Sequence, residues 1–349
     1  MILRVTSRIT RLGLVPALVV AALAALALVV PVGPTHPRAV ATPGARTAAL
    51  GAHNDTSTPF NLVSVPALTR HRYDGRALRL DRVITKTLAF TRYAVSYRSG
   101  DLKITGVMDV PNRRGRSPLV VLAHGWTDPA RYRSGGMLER ERVKLAQNGF
   151  VAFQVDYRNH GGSTRESAEV VAEPLGYPED LVNAVRAVRR AKLPFVNARR
   201  VGLFGRSMGG GVVLNALAAR PHLADAAVLY SPVSSSAVDT YRRWVRPNPE
   251  LRAKVESVYG TPTTRPDVWS RASARTYLGR VNVPTQVHHG KRDDVCPVRW
   301  SRATVKALKA GGNHRVTMRA YPGQEHRFTG QSWRRFMTRS IAFLRAELT

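Results

Sequence analysis

Three short stretches of the chain hold residue types that can act together in acyl transfer. "LFGRSMGGG" sets Ser207 between Gly205 and Gly209, "HHGKRDDVCP" carries Asp293 and Asp294, and "YPGQEHRF" carries His326. A serine hydroxyl attacks a carbonyl carbon poorly until a base removes its proton. Histidine is a fitting base, and a carboxylate behind it fixes the tautomer and stabilises the imidazolium that forms. Ser207 is therefore the expected nucleophile and His326 the expected general base. Either aspartate meets the order serine, acid, histidine, and either could instead cap the helix that follows.

The glycines around Ser207 explain how it would be presented. Five of them fall within "VGLFGRSMGGGVV", although each costs about 0.5–1 kcal/mol relative to alanine inside a helix or strand. "RRVGLF" reads as a strand and "MGGGVVLNALAA" as a helix, so G-x-S-x-G lies on a strand–turn–helix junction, the nucleophile elbow. Gly205 and Gly209 stand where strand and helix nearly touch. Ser207 then points out at a helix N-terminus, where the dipole favours developing negative charge. A dinucleotide fingerprint and a P-loop both fail, since neither G-x-G-x-x-G nor G-K-[ST] is present.

The tetrahedral intermediate also needs N–H donors for its oxyanion. One is the amide of Met208, the residue after the serine. The second is expected from "VVLAHGWTDPARY", where Gly125 lets the backbone approach, the Trp126 amide points inward and its indole walls the acyl group. His124, Trp126, Arg206 and Trp244 are the candidate substrate contacts, although orienting the loop is the weightier role for His124. Nothing in the pattern calls for a metal or an organic cofactor. The single cysteine, Cys296, cannot form an internal disulfide and reads as a small buried filler.

These residues must be held by a sheet. Eight β-like runs are separated by turn residues, from "TLAFTRYAVSY" and "LKITGVMDV" through to "RVTMRAYP". The first two alternate apolar and polar residues, as antiparallel strands with one wet face do. The later ones are nearly continuous apolar runs, as parallel strands covered on both faces should be. Helical patterns alternate with them, which implies a mostly parallel eight-stranded sheet with helices on both faces, of the α/β class. Residues 234–280, with Trp244, Tyr259, Trp269 and several prolines, interrupt this rhythm and are expected to form a small helical cap or lid over the site.

Composition bounds the remaining questions. The chain has 349 residues and a net charge of +31. Its basic residues are dispersed and no nucleic-acid-binding motif accompanies them, so nucleic acid is not the expected partner. Attraction to an anionic cell envelope is a partner class that such charge permits. Arg4, Arg8 and Arg11 precede an uncharged apolar run from Leu12 to Val32, and Ala39-Val40-Ala41 follows as a small-residue cleavage site. The expectation is a signal peptide over 1–41, a flexible tether over 42–70 and a catalytic domain over 71–349. The apolar run is also long enough to stay as a membrane anchor, so a secreted and an envelope-anchored protein are both open.

From about Tyr73 to the C-terminus the chain resembles an α/β-hydrolase. It is most similar to the catalytic domain of the prolyl oligopeptidase family and to dienelactone-hydrolase-like esterases. The residues that carry the resemblance are "HGW" at 124–126, "VDYRNHGGS" at 155–163, "FGRSMGGG" at 204–211, "YGTPTTRPDVWSRAS" at 259–273, "HHGKRDDVCP" at 288–297 and "YPGQEHRF" at 321–328. In that family the acid is the first aspartate after H-G-x-x, which corresponds to Asp293, and the base is the histidine that corresponds to His326. The resemblance implies hydrolysis of a small ester or short peptide through an acyl-enzyme. It departs in two places. Arg206 precedes the serine, where relatives often carry Gly, His or Trp, and the stretch before Tyr73 has no room for the family's usual N-terminal β-propeller. The second departure tilts the expectation towards esters. A cell-envelope acyltransferase and a cutinase-like polyester hydrolase are the alternatives.

Overall fold

The computed structural model describes residues 64–166 and 173–349. The expected signal peptide, and all of the expected tether before residue 64, lie outside the described residues. The last residues assigned to the tether instead form a short helix, α1 (Val65–Arg70), in which the Ser64 hydroxyl accepts from the Ala67 amide at 3.2 Å and Val65 and Leu68 are buried. Two buried apolar residues one turn apart make an anchor of this segment.

Among the described residues, one sheet of nine strands organises the fold. In chain order they are β1 (Arg76–Lys86), β2 (Phe90–Ser99), β3 (Leu102–Pro111), β4 (Ser117–Ala123), β5 (Val151–Val155), β6 (Val196–Arg206), β7 (Ala226–Tyr230), β8 (Thr285–Gly290) and β9 (Val316–Tyr321). Their spatial order is β1-β2-β3-β5-β4-β6-β7-β8-β9. The first three run antiparallel to their neighbours, and β5 through β9 are parallel. The strand that sequence patterning misses is β1. It is an edge strand with almost every residue exposed, it carries Arg76, Arg79, Arg82 and Lys86, and its register shifts three times. Charges and bulges keep an open edge from pairing with other chains, and they erase the apolar pattern by which a strand is recognised.

The central strands are buried on both faces, and their side chains alternate between two cores. In β4, Leu119, Val121 and Ala123 join one cluster, and Val120 and Leu122 join the other. The first cluster is closed by α3 (Glu173–Ala191), α4 (Met208–Ala219) and α8 (Val298–Ala310), through Leu181, Leu214 and Leu308. The second is closed by α2 (Glu139–Ala146) and α9 (Gly330–Leu348), through Leu145, Phe336 and Leu344. Burial on both sides is why these strands read as continuous apolar runs.

Between β7 and β8 the chain leaves the sheet as a helical excursion. It holds α5 (Ala237–Thr240), a π-helical turn over Tyr241–Val245, α6 (Pro249–Tyr259), α7 (Pro266–Ala272) and a 3₁₀ segment over Ala274–Arg280. Tyr241, Val255, Tyr259, Val268 and Trp269 form its own small core, joined by Leu68 and Ala219.

One buried polar group in this frame makes stability depend on pH. His288 of β8 is fully buried, with Nδ1 2.8 Å from the Tyr321 hydroxyl and Nε2 2.7 Å from Gln286 Oε1. The neutral ring satisfies both, accepting from Tyr321 and donating to Gln286. Burial, aided by Arg339 and Arg319, pushes its pKa down from 6.5 to about 3. The unfolded chain therefore takes up this proton below pH 6.5 while the folded chain refuses it until about pH 3. Stability is lost as pH falls through that window, by about 2 kcal/mol at about pH 5 from this residue alone. In His288→Gln the pH dependence of urea unfolding is expected to be shallower than in wild type between those limits. Parallel curves for the two proteins would exclude the assignment.

Candidate active site

The site is built at the carboxyl ends of the parallel strands. Sequential strands part company at β4: β5 pairs on one side of it and β6 on the other. Ligands in open α/β sheets bind at such switch points. Ala123 of β4 stands beside Gly205 of β6, so the loop leaving β4 and the turn leaving β6 emerge side by side.

That turn holds Ser207 at φ 55° and ψ −123°, as the residue that caps α4. Positive φ on a residue with a Cβ costs about 1–3 kcal/mol and persists only where surroundings enforce it. Here the Ser207 amide donates to the Tyr230 carbonyl at 3.0 Å, and the Gly210 amide donates to the Ser207 carbonyl at 2.9 Å. The flanking glycines are required by contact. A Cβ on Gly205 would lie 2.4 Å from the Gly209 carbonyl oxygen, and one on Gly209 would lie 2.0 Å from that of Ala123.

Asp293 and His326 arrive on the loops after β8 and β9. The His326 Nδ1–H donates to Asp293 Oδ2 at 2.9 Å. A carboxylate can only accept, so this bond places the proton on Nδ1 and leaves the Nε2 lone pair free to take another. The other carboxylate oxygen, Oδ1, accepts from the amides of Val295 (3.0 Å) and Cys296 (2.8 Å). Asp293 is buried, whereas Asp294 is exposed and offers only its carbonyl, to Arg243 of the helical excursion. The structure thus separates two adjacent aspartates that spacing alone leaves equivalent.

A second histidine, which sequence reasoning passes over, also touches the acid. His289 is fully buried, and its Nε2 lies 3.1 Å from Asp293 Oδ2 and 2.6 Å from the Cys296 carbonyl. Both partners are acceptors, so Nε2 carries the proton, and Nδ1 meets the Ser301 hydroxyl at 2.7 Å. Burial raises the Asp293 carboxyl pKa, but hydrogen bonds from His289 and His326 and from the Cys296 amide outweigh it and hold the group well below the usual carboxylate range. The signal was present in the sequence as the four-residue spacing of His289 and Asp293.

The remaining candidates divide. Gly125 lies so close to the elbow that a Cβ there would be 3.1 Å from Ser207 Cβ. Trp126 follows it with its side chain half exposed at 51%, and Met208 opens α4, where first-turn amides have no intrahelical acceptor. Among the described residues no backbone partner occupies the Trp126 amide. Trp244 is half-buried and packs edge-on against Trp300 with ring centres 5.5 Å apart. His124 is a correction, because it is fully buried and does not face a substrate. Its ring nitrogens meet the carbonyls of Gly125 (2.7 Å) and Asp156 (3.0 Å), and it stacks on Tyr132, so it shapes the loop. Asp156 of the "VDYRNHGGS" stretch helps from the other side, accepting from the hydroxyls of Tyr132 (2.9 Å) and Thr105 (2.7 Å).

Ser207 and His326 are not joined by a hydrogen bond in this structure. Burial raises the pKa of the Cys296 thiol, so it stays protonated and inert as a nucleophile. Among the described residues, no group of three or more metal-ligating side chains is assembled.

Comparison with known proteins agrees with the architecture. The chain is similar to an acetyl xylan esterase from Paenibacillus sp. R4, with a TM-score of 0.61, 19% identity, and 83% of this chain aligned to 95% of that one. It is also similar to Pyrococcus horikoshii acylaminoacyl peptidase, with a TM-score of 0.57, 20% identity, and 74% of this chain aligned to 42% of that one. At such identities the likeness speaks for the fold alone. In sequence, a quorum-quenching protein from Acinetobacter baumannii is 28% identical over 120 residues, which is 34% of this chain and 37% of that protein. An Escherichia coli protein described only by its 31.7 kDa mass and genomic position is 28% identical over 109 residues, 31% of this chain and 35% of its own. The chain therefore spans about a third of the length of these curated relatives. The prolyl oligopeptidase family model matches residues 138–349, more than half of the chain and all of the strand ends that carry Ser207, Asp293 and His326. On that match the chain belongs to the prolyl oligopeptidase family of serine hydrolases, built on an α/β-hydrolase fold.

Proposed function

We propose that this protein hydrolyses the ester or amide bond of a small substrate through a Ser207 acyl-enzyme, with esters preferred. His326 Nε2 takes the Ser207 proton as Oγ attacks the carbonyl carbon, and the amides of Met208 and Trp126 receive the oxyanion. Collapse of the tetrahedral intermediate passes the proton from His326 to the leaving alcohol or amine. Water then repeats the sequence on the acyl-enzyme, and Asp293 stabilises the imidazolium at each stage. The observation that carries this reading is the 2.9 Å bond between His326 Nδ1 and Asp293 Oδ2 on the loops beside the Ser207 turn.

The test is direct. Wild type is expected to react with a fluorophosphonate probe and to turn over 4-nitrophenyl esters faster than the matching aminoacyl anilides. Ser207→Ala should lose labelling and at least about 10⁴-fold of turnover, as removal of a triad nucleophile does elsewhere. Undiminished turnover in Ser207→Ala would overturn the mechanism, and faster anilide cleavage would overturn the ester preference.

A further inference from the structure

Beside the nucleophile lies a cavity of about 270 Å³ lined by Gly136, Met137, Glu139, Arg140, Arg206 and Arg327. Its position follows from the chain itself. Arg206 immediately precedes Ser207, and Arg327 immediately follows His326. Met137 Cε reaches to 3.7 Å from the point where a Gly125 Cβ would stand, and Ser207 Cβ is 3.1 Å from that same point. The cavity is therefore a neighbour of Ser207.

Its charge is unbalanced. Glu139, the one acidic residue in the lining, is already paired, with Oε1 2.7 Å from Nη1 of Arg92. Arg140 is partly answered by Glu141 at 3.5 Å and by the Phe328 carbonyl at 3.3 Å. Arg206 and Arg327 form no ion pair with a carboxylate among the described residues. The Arg206 Nε is buried without any hydrogen-bond partner, and its Nη1 has only a 3.5 Å contact to the Met137 carbonyl. Its guanidinium also lies over the Tyr230 ring, 5.5 Å from the centroid, which restricts its orientation. A buried donor left unsatisfied is costly, and a guanidinium fork matches the two oxygens of an oxyanion group.

We propose that this cavity binds an anionic oxyanion group, a carboxylate in first place, carried by the substrate close to the bond that is cleaved. The preferred substrates are then half-esters or half-amides of dicarboxylic acids, or peptides with a carboxylate at that distance. This rests on the hydrolase reading above and goes further by naming the substrate class.

Two measurements separate the two ideas. The first compares kcat/KM for 4-nitrophenyl hydrogen adipate with that for its methyl ester, which has nearly the same shape without the charge. Wild type is expected to favour the acid at least tenfold, with the ratio falling towards one in Arg206→Gln and in Arg327→Gln. The exposed Arg79 on the far edge of the sheet controls for net charge, and Arg79→Gln should keep the wild-type ratio. The second measurement titrates glutarate, and separately inorganic phosphate, into Ser207→Ala by calorimetry. Saturable binding that Arg206→Gln removes supports the cavity whatever the turnover, and the tighter of the two anions identifies the group. Equal turnover of both adipates together with no binding of either anion overturns the proposal while leaving the hydrolase intact. Anion binding to Ser207→Ala by a protein that cleaves neither ester would instead sink the hydrolase reading alone.

Discussion

Asp293→Asn is expected to lower kcat/KM on a neutral ester by about 10⁴-fold, equivalent to about 5.5 kcal/mol of lost transition-state stabilisation. The reason is the direction of one hydrogen bond. His326 Nδ1 donates to Asp293 Oδ2, while Asp293 Oδ1 is already engaged by the amides of Val295 and Cys296. An asparagine that keeps its oxygen on those two amides turns its NH₂ towards His326. The ring must then accept at Nδ1 and carry its proton on Nε2, where it cannot serve as a base. The same NH₂ would confront the proton on His289 Nε2, which now donates to that oxygen. Asp294→Asn, an exposed neighbour, should stay within about threefold of wild type, because substituting an exposed side chain usually changes little. Equal losses in the two variants, measured with matched far-UV spectra, would remove Asp293 from the mechanism.

Gly209→Ala is expected to abolish the active fold. The added methyl would sit 2.0 Å from the Ala123 carbonyl oxygen and 2.6 Å from that of His124. Both atoms are backbone at the exit of β4, so relief requires moving the strand or the loop that presents the Trp126 amide. Strain of that kind belongs with the rare substitutions that cost more than about 4–5 kcal/mol. The variant should either fail to unfold cooperatively on heating or retain less than about 1% of turnover, since displacing one oxyanion donor alone costs about 10²–10³-fold. Gly279→Ala supplies the comparison, because its nearest atom, the Gly311 carbonyl oxygen, is 3.6 Å from the new Cβ. It should melt within a few degrees of wild type. A fully active Gly209→Ala would show that the elbow does not press on β4 as the contact implies.

The local parts of the site were legible because they obey short-range rules. The glycines beside Ser207 report a steric demand between a strand and the helix that follows it, and both lie within a few residues in the chain. The parallel strands were legible because burial on both faces leaves an uninterrupted apolar run. β1 was not, because an exposed edge strand has no core face to record and is populated by arginine and lysine. The tether boundary misled for the opposite reason: α1 is only six residues long, too short to show a period, and is held by burial of Val65 and Leu68.

By itself the sequence determined the class of chemistry: a serine on a strand–turn–helix elbow, followed by an acidic loop and a histidine loop at the ends of successive strands. Tertiary structure decided which side chains meet. Asp293 and His326 are 33 residues apart, and their contact depends on β8 and β9 pairing in one register, which turns Asp293 inward and Asp294 to solvent. Folding also put His289 on the acid, withdrew His124 into the core and gathered Arg206, Arg140 and Arg327 around one cavity. Sequence spacing records what neighbours along the chain require of each other. Packing across a twisted sheet joins residues from separate loops, and their proximity is settled only when the strands are in place.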